Sequence, residues 1–162
     1  MNLIDVKSPA DLKGLSISEL TDLTAQARQA LMTKVSEHGG HFGPPMGAAE
    51  IIMALHYVFN SPVDKIVYDV SHQSYVHKMV TGRALAFLDH DHYDDVTGYT
   101  DPTESDHDFF NIGHTSTSIS LASGLATARN LKGDFENIIA IIGDGSLSGG
   151  EAFEGLDYAA TL

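Results

Sequence analysis

The residues best suited to chemistry end the most apolar stretch of the chain. Ile138 to Ile142 runs without a polar side chain into Gly143-Asp144-Gly145-Ser146-Leu147-Ser148-Gly149-Gly150. A carboxylate at the tip of a buried strand suits a hard divalent cation, and the small residues around it let backbone amides approach a diphosphate. Gly143, Gly145 and Gly149 give G-x-G-x-x-x-G, one residue longer than the dinucleotide fingerprint, and no P-loop lysine follows. Taken alone, the segment also reads as an Asp-Gly turn closing a strand.

Three further clusters carry titratable groups. Gly113-His114-Thr115-Ser116 stands just ahead of a helical pattern, where hydroxyls cap and unpaired N–H groups meet anions. By itself it also fits a Ser/Thr-rich helix start with an incidental histidine. His72 follows a strand directly, with His77-Lys78 a turn further on, and a strand-tip imidazole can orient groups or shuttle protons near neutral pH. His41 lies in the glycine- and proline-rich bend HGGHFGPPMG, residues 38–47. Both histidines also suit plain structural roles. A fourth cluster, Asp89-His90-Asp91-His92-Tyr93-Asp94-Asp95, resembles the HxHxDH pattern of zinc hydrolases, with His90, His92 and Asp94 as candidate ligands. Asp95 replaces that pattern's last histidine and no clear strand precedes it, so a solvated acidic loop is the better reading.

The elements that must position these groups follow from periodicity. Leu20, Leu23, Ala27, Leu31 and Val35 fall at spacings of three and four and predict a helix over 18–37, with Ser16 and Glu19 as a capping box and Gly39-Gly40 as the stop. A second helix is predicted from about Gly47 to Phe59, with Ile51, Ile52, Leu55, Val58 and Phe59 on one side. Lys65 to Val70 reads as a strand, and residues 84–111 as an irregular loop. A helix of small residues follows from Thr117 to Leu131, with Ile119, Ala122, Leu125 and Ala126 inward. Asn137 to Ile142 is apolar at nearly every position, as expected of a parallel strand covered on both faces. A last helix begins near Gly149 and carries Phe153, Leu156 and Ala160. Strand, crossover helix and strand argue for an α/β layered fold, with glycine-rich turns at strand ends, where open parallel sheets bind ligands.

Composition narrows the class. The 162 residues hold 22 acidic and 9 basic side chains, a net charge of −13, and no cysteine. At 43% apolar and 19% charged, the chain reads as a globular protein with one core, so one domain is expected. Disulfides and thiolate chemistry are excluded, which fits the cytoplasm. The negative field disfavours nucleic acid and anionic membranes. No apolar run reaches membrane-spanning length, and the opening residues lack a signal-peptide pattern.

The order of the motifs is more specific than any one of them. His41-Phe42-Gly43-Pro44, then ALHYVFNSPVDKIVYDVSHQSYVHK (54–78), GHTSTSIS (113–120) and IGDGSLSGG (142–150) closely resemble the N-terminal part of the 1-deoxy-D-xylulose-5-phosphate synthase family over about residues 18–162. The resemblance implies a thiamine-diphosphate enzyme of the transketolase superfamily that joins pyruvate to D-glyceraldehyde 3-phosphate with loss of carbon dioxide. It implies a partial diphosphate-binding domain with a parallel sheet and helices on both faces. It further implies that Asp144 ligates Mg²⁺, that Gly145, Ser146 and the Gly113-His114-Thr115 segment contact thiamine diphosphate, that His72 touches the cofactor, and that His41 faces the reacting carbon. Ser146-Leu147-Ser148-Gly149-Gly150 and Tyr68-Asp69-Val70 follow the synthase rather than the transketolase pattern.

Departures are Ser71 where the family commonly has glycine, Val76 for proline and Thr115 for serine. Ser71 would narrow the turn beside His72 if that position needs a positive φ. The superfamily's second Mg²⁺ ligand, an asparagine, falls further downstream than the 18 residues that follow Asp144, as do the rest of the cofactor domain and the domain carrying the glutamate that promotes cofactor activation. The chain is therefore expected to be a single, incomplete diphosphate-binding domain over 1–162, inactive alone. It is expected to self-associate as a homo-oligomer or to be completed by a second polypeptide. The alternatives are a split transketolase-type subunit and a degenerate non-catalytic module.

Overall fold

Ser16 starts the first long helix through reciprocal capping: its hydroxyl accepts the Glu19 N–H at 3.3 Å and Glu19 accepts the Ser16 N–H at 2.7 Å. The computed structural model describes residues 1–162, and its contacts fall into two units, residues 1–60 with 72–98 and residues 61–71 with 99–162.

In the first unit, α1 (Ile17–His38) buries Leu20, Leu23, Ala27 and Leu31, the predicted stripe, and ends at Gly39 with φ +89°. Helix α2 (Gly43–Val58) begins earlier than the apolar pattern indicates, because Pro44 and Pro45 sit in its first turn, where a missing N–H is harmless. Its buried side is Ala49, Ile52, Met53 and His56, whereas Ile51 and Val58, grouped with Ile52 by the apolar pattern, are exposed. Residues 75–95 form short helical pieces: α3 (Tyr75–Lys78), a widened turn at Met79–Arg83, α4 (Leu85–Leu88) and a 3₁₀ segment at His90–Asp95. Part of the expected irregular loop is thus helical, in pieces too short to show a period. Lys34, buried in α1, fixes them by donating to the Ala86 and Tyr93 carbonyls at 2.8 and 2.7 Å. His56 on α2 meets His77 on α3, Nε2 to Nδ1 at 2.8 Å, both fully buried.

The second unit is built on two parallel strands, β1 (Lys65–Tyr68) and β2 (Ile138–Ile141), paired from Lys65↔Ile138 to Tyr68↔Ile141. Strand β1 stops short of Val70 because Val70 and Ser71 adopt φ +58° and +71°, outside the extended region. Ile66, Val67 and Tyr68 are buried, but all four residues of β2 stay half-exposed, so the expectation of a strand covered on both faces fails for β2. Helix α5 (Ser118–Lys132) lies on the sheet, with Ala122 packing against Val67 and Ile112. After β2 come a single turn, α6 (Asp144–Leu147), and α7 (Gly150–Ala159). Helix α7 approaches α5 through Gly155, where a Cβ would lie 3.0 Å from Ser120 Oγ and 3.1 Å from Ile119 Cγ2. That close approach buries Ala152 and Gly155, while Phe153 and Leu156 are exposed. The architecture is α/β with a parallel sheet, and no helix is long and apolar enough to cross a membrane.

Candidate functional site

In the second unit the chemistry collects at the carboxyl ends of β1 and β2. Asp69, one residue past β1 and 1% exposed, spreads its carboxylate over the start of α5: one oxygen accepts the Ser118 N–H at 2.9 Å, the other the Ser116 N–H at 3.0 Å. Hydrogen bonds to an ionised carboxylate are strong, and this one also complements the positive end of the helix dipole. The amides at Ser116 and Ser118 are therefore occupied by protein. The expectation that the helix start itself meets an anion is corrected for these amides, which leaves Gly113, His114 and Thr115, all exposed, as the available part of that segment.

Two serines anchor this segment on either side. The Ser71 hydroxyl donates to the Ile112 carbonyl at 2.8 Å and accepts the Thr100 N–H at 3.0 Å. Serine tolerates the positive φ at position 71 because its side chain serves both loops. Ser116, also at φ +71°, donates from its hydroxyl to the Ser146 carbonyl at 2.6 Å. That bond brings the Gly113-His114-Thr115 segment and the Asp144-Gly145-Ser146 turn together. Gly149 makes the approach possible, since a Cβ there would come within 2.8 Å of Ser116 Cβ.

Asp144 is exposed and opens α6, whose first internal bond runs from Leu147 N–H to the Gly143 carbonyl. The amides of Asp144, Gly145 and Ser146 precede that bond. Nothing lies within 4 Å of where a Cβ would stand on Gly113, Gly143 or Gly145, so the backbone is open on both segments. The Ser118 hydroxyl, fully buried at the base of the loop, has no hydrogen-bond partner. These features fit a phosphate-bearing ligand. They do not form a self-sufficient cation site: no group of three or more His, Asp or Glu side chains converges anywhere in the chain, and Asp144 supplies one ligand where Mg²⁺ wants six oxygens.

The first unit holds the two candidate catalytic histidines. His41 and His72 approach edge to face, ring centroids 5.4 Å apart, and Tyr75 reaches His41 by two hydrogen bonds. Next to His72, the Gln73 carboxamide oxygen and the Ser74 hydroxyl are buried without partners, and buried polar groups rarely stay so. The acidic segment is not a metal centre. His92 pairs with Asp95 at 2.7 Å and His38 with Asp94 at 2.9 Å, all near the surface, so the candidate ligands His90, His92 and Asp94 do not converge. The Asp95 hydrogen bond holds the His92 pKa above its ordinary value.

Sequence reasoning passed over Asp69, Ser71 and Tyr75 as side chains with work to do. The signal for Asp69 was available: a carboxylate directly after three buried strand residues has to find partners.

Two open segments at the carboxyl ends of parallel strands, tied by a hydrogen bond and carrying an exposed carboxylate, stand where open α/β sheets generally bind ligands. Residues 3–162 match the family model described as 1-deoxy-D-xylulose-5-phosphate synthase. The chain belongs to that family. It is 53% identical over 155 residues to the 1-deoxy-D-xylulose-5-phosphate synthase of Caldanaerobacter subterraneus, covering 96% of this chain and 25% of the relative. The synthase of Symbiobacterium thermophilum is 50% identical over 159 residues, 98% of this chain and 24% of the relative. That of Chlorobaculum tepidum is 50% identical over 156 residues, with coverage of 96% and 25%. The chain thus spans about a quarter of the length of the relatives it matches.

Proposed function

We propose that this chain is the N-terminal, diphosphate-holding portion of a thiamine-diphosphate-dependent 1-deoxy-D-xylulose-5-phosphate synthase, acting in the cytoplasm on pyruvate and D-glyceraldehyde 3-phosphate. The observation that carries the reading is the Ser116–Ser146 hydrogen bond, which sets two open glycine-bearing segments side by side in a chain of that family.

Bound thiamine diphosphate supplies an electron sink for the carbanion left when a ketoacid loses carbon dioxide. The chain's own part is binding and proton handling. Asp144 would give one oxygen to Mg²⁺, and the backbone of Gly113-His114-Thr115 and Gly145-Ser146 would cradle the diphosphate that the same ion neutralises. His72 would contact the cofactor, and His41 would hold or deliver a proton at the reacting carbon. The partnerless Ser118 hydroxyl, in the unit that carries the two open segments, supports a polar ligand there.

With one carboxylate for the cation and a quarter of its relatives' length, the chain does not turn over alone. We read its two units as parts of one incomplete domain, completed by further polypeptide or by assembly with a second copy. The test is to titrate Mg²⁺ and thiamine diphosphate into the chain, alone and mixed with the remaining portion of a relative. Product is expected only from the mixture, and Asp144→Asn abolishes the Mg²⁺-dependent part of cofactor binding without lowering the melting temperature. Absence of both binding and product in the mixture would sink the proposal.

A further inference from the structure

Tyr75 is 4% exposed, and its hydroxyl has two partners on the same residue. It receives the His41 backbone N–H at 3.2 Å and lies 3.3 Å from His41 Nδ1. The two contacts are not equivalent. A backbone N–H can only donate, so it takes an oxygen lone pair. The phenol then has one proton left to give, and Nδ1 is the group placed to accept it. An Nδ1 that accepts carries no hydrogen, and a neutral imidazole must then carry its hydrogen on Nε2.

The surroundings leave the pair little freedom. Gly40, at φ +123°, faces the hydroxyl so closely that a Cβ there would sit 2.9 Å from it. A Cβ on Gly98 would lie 3.4 Å from both the hydroxyl and His41 Cε1. The Tyr75 ring is braced by Phe87, centroids 5.4 Å apart. His41, Tyr75 and Gly98 line one pocket of about 280 Å³. The loop that carries His41 would otherwise be a loose Gly-Gly hinge, and the tyrosine hydroxyl holds it by backbone and side chain at once.

We propose that Tyr75 is a positioning residue that fixes His41 as the Nε2–H tautomer, so that the imidazole offers its pocket a hydrogen-bond donor rather than a base. Its bearing on catalysis rests on the role proposed above for His41: the ring would hold or deliver a proton at the reacting carbon instead of removing one in its resting state. The tautomer itself is independent of that role.

The experiment is a two-bond proton–nitrogen correlation spectrum of the chain carrying ¹⁵N-histidine, at mildly alkaline pH, with His41 assigned by the loss of its signals in His41→Gln. In the wild type, Nδ1 is expected at the shift of an unprotonated ring nitrogen and Nε2 at that of a protonated one. Tyr75→Phe keeps the packing on Phe87 and removes the hydroxyl, so the two nitrogen shifts should move toward each other as both tautomers populate. A protonated Nδ1 in the wild type overturns the proposal, as do His41 shifts unchanged in a folded Tyr75→Phe. If that variant does not fold, the wild-type spectrum decides alone. Since no cofactor is added, a negative result here is separate from failure of the proposed function.

Discussion

At position 71 a serine holds a backbone conformation that usually belongs to glycine. Its φ of +71° costs a non-glycine residue about 1–2 kcal/mol, yet its hydroxyl makes two buried hydrogen bonds, to Ile112 and from Thr100. Ser71→Ala keeps the strain and leaves a buried amide and a buried carbonyl unpaired, so it should lower unfolding stability by about 2 kcal/mol. Ser71→Gly loses the same bonds but relaxes the backbone, and should lose roughly half as much. Denaturant midpoints of the two variants check the order, and equal losses would refute the strain argument. His92 offers a prediction in pH. Its pKa is raised by Asp95 from an ordinary 6.5, so the pair's stabilisation is fully present below that value and disappears as pH climbs through the raised one. His92→Asn should flatten that part of the melting-temperature profile and leave the rest unchanged.

Among the elements, α5 depends most on a residue outside itself. Its start is capped not by its own sequence but by Asp69 from the end of β1. Asp69→Asn replaces one accepting oxygen with a carboxamide NH2 donor facing an N–H group, and should destabilise the unit by about 1–3 kcal/mol. Amide exchange at Ser116 and Ser118 should accelerate well ahead of the middle of α5, and uniform acceleration along the helix would count against a local cap. This contact shows where the sequence was legible and where it was not. The capping box of α1 is visible because Ser16 and Glu19 are three residues apart. The parallel pair is visible because KIVY and NIIAII carry the composition of buried strands. Asp69 and Ser116 lie 47 residues apart, and no local pattern reports such a bond. The same limit applies to the site: Asp144 and the two histidines stand out by type and neighbours, whereas Tyr75 becomes legible only once the fold sets its hydroxyl against His41. Periodicity also gives no sign of the buried side of α7, since it counts apolar residues and cannot see that Gly155 lets a backbone approach closely.

For the whole molecule, two features oppose each other. The chain carries a net charge of −13, and its sheet has only two strands, with every residue of β2 half-exposed. Unpaired strand edges invite pairing with another chain, while like charge keeps copies apart over a screening length of about 10 Å at 0.1 M salt. Raising the ionic strength should therefore increase the apparent mass seen in sedimentation, and substituting lysine for Ile139 should suppress the increase. A mass independent of salt would show that the edge is not a contact surface.

The half-covered ribbon has a practical side as well. Purification on a high-salt gradient or precipitation with ammonium sulfate would gather such molecules through their bare flanks. Low-salt buffer at neutral pH, where a charge of −13 is little screened, is the medium in which this polypeptide should keep longest in solution.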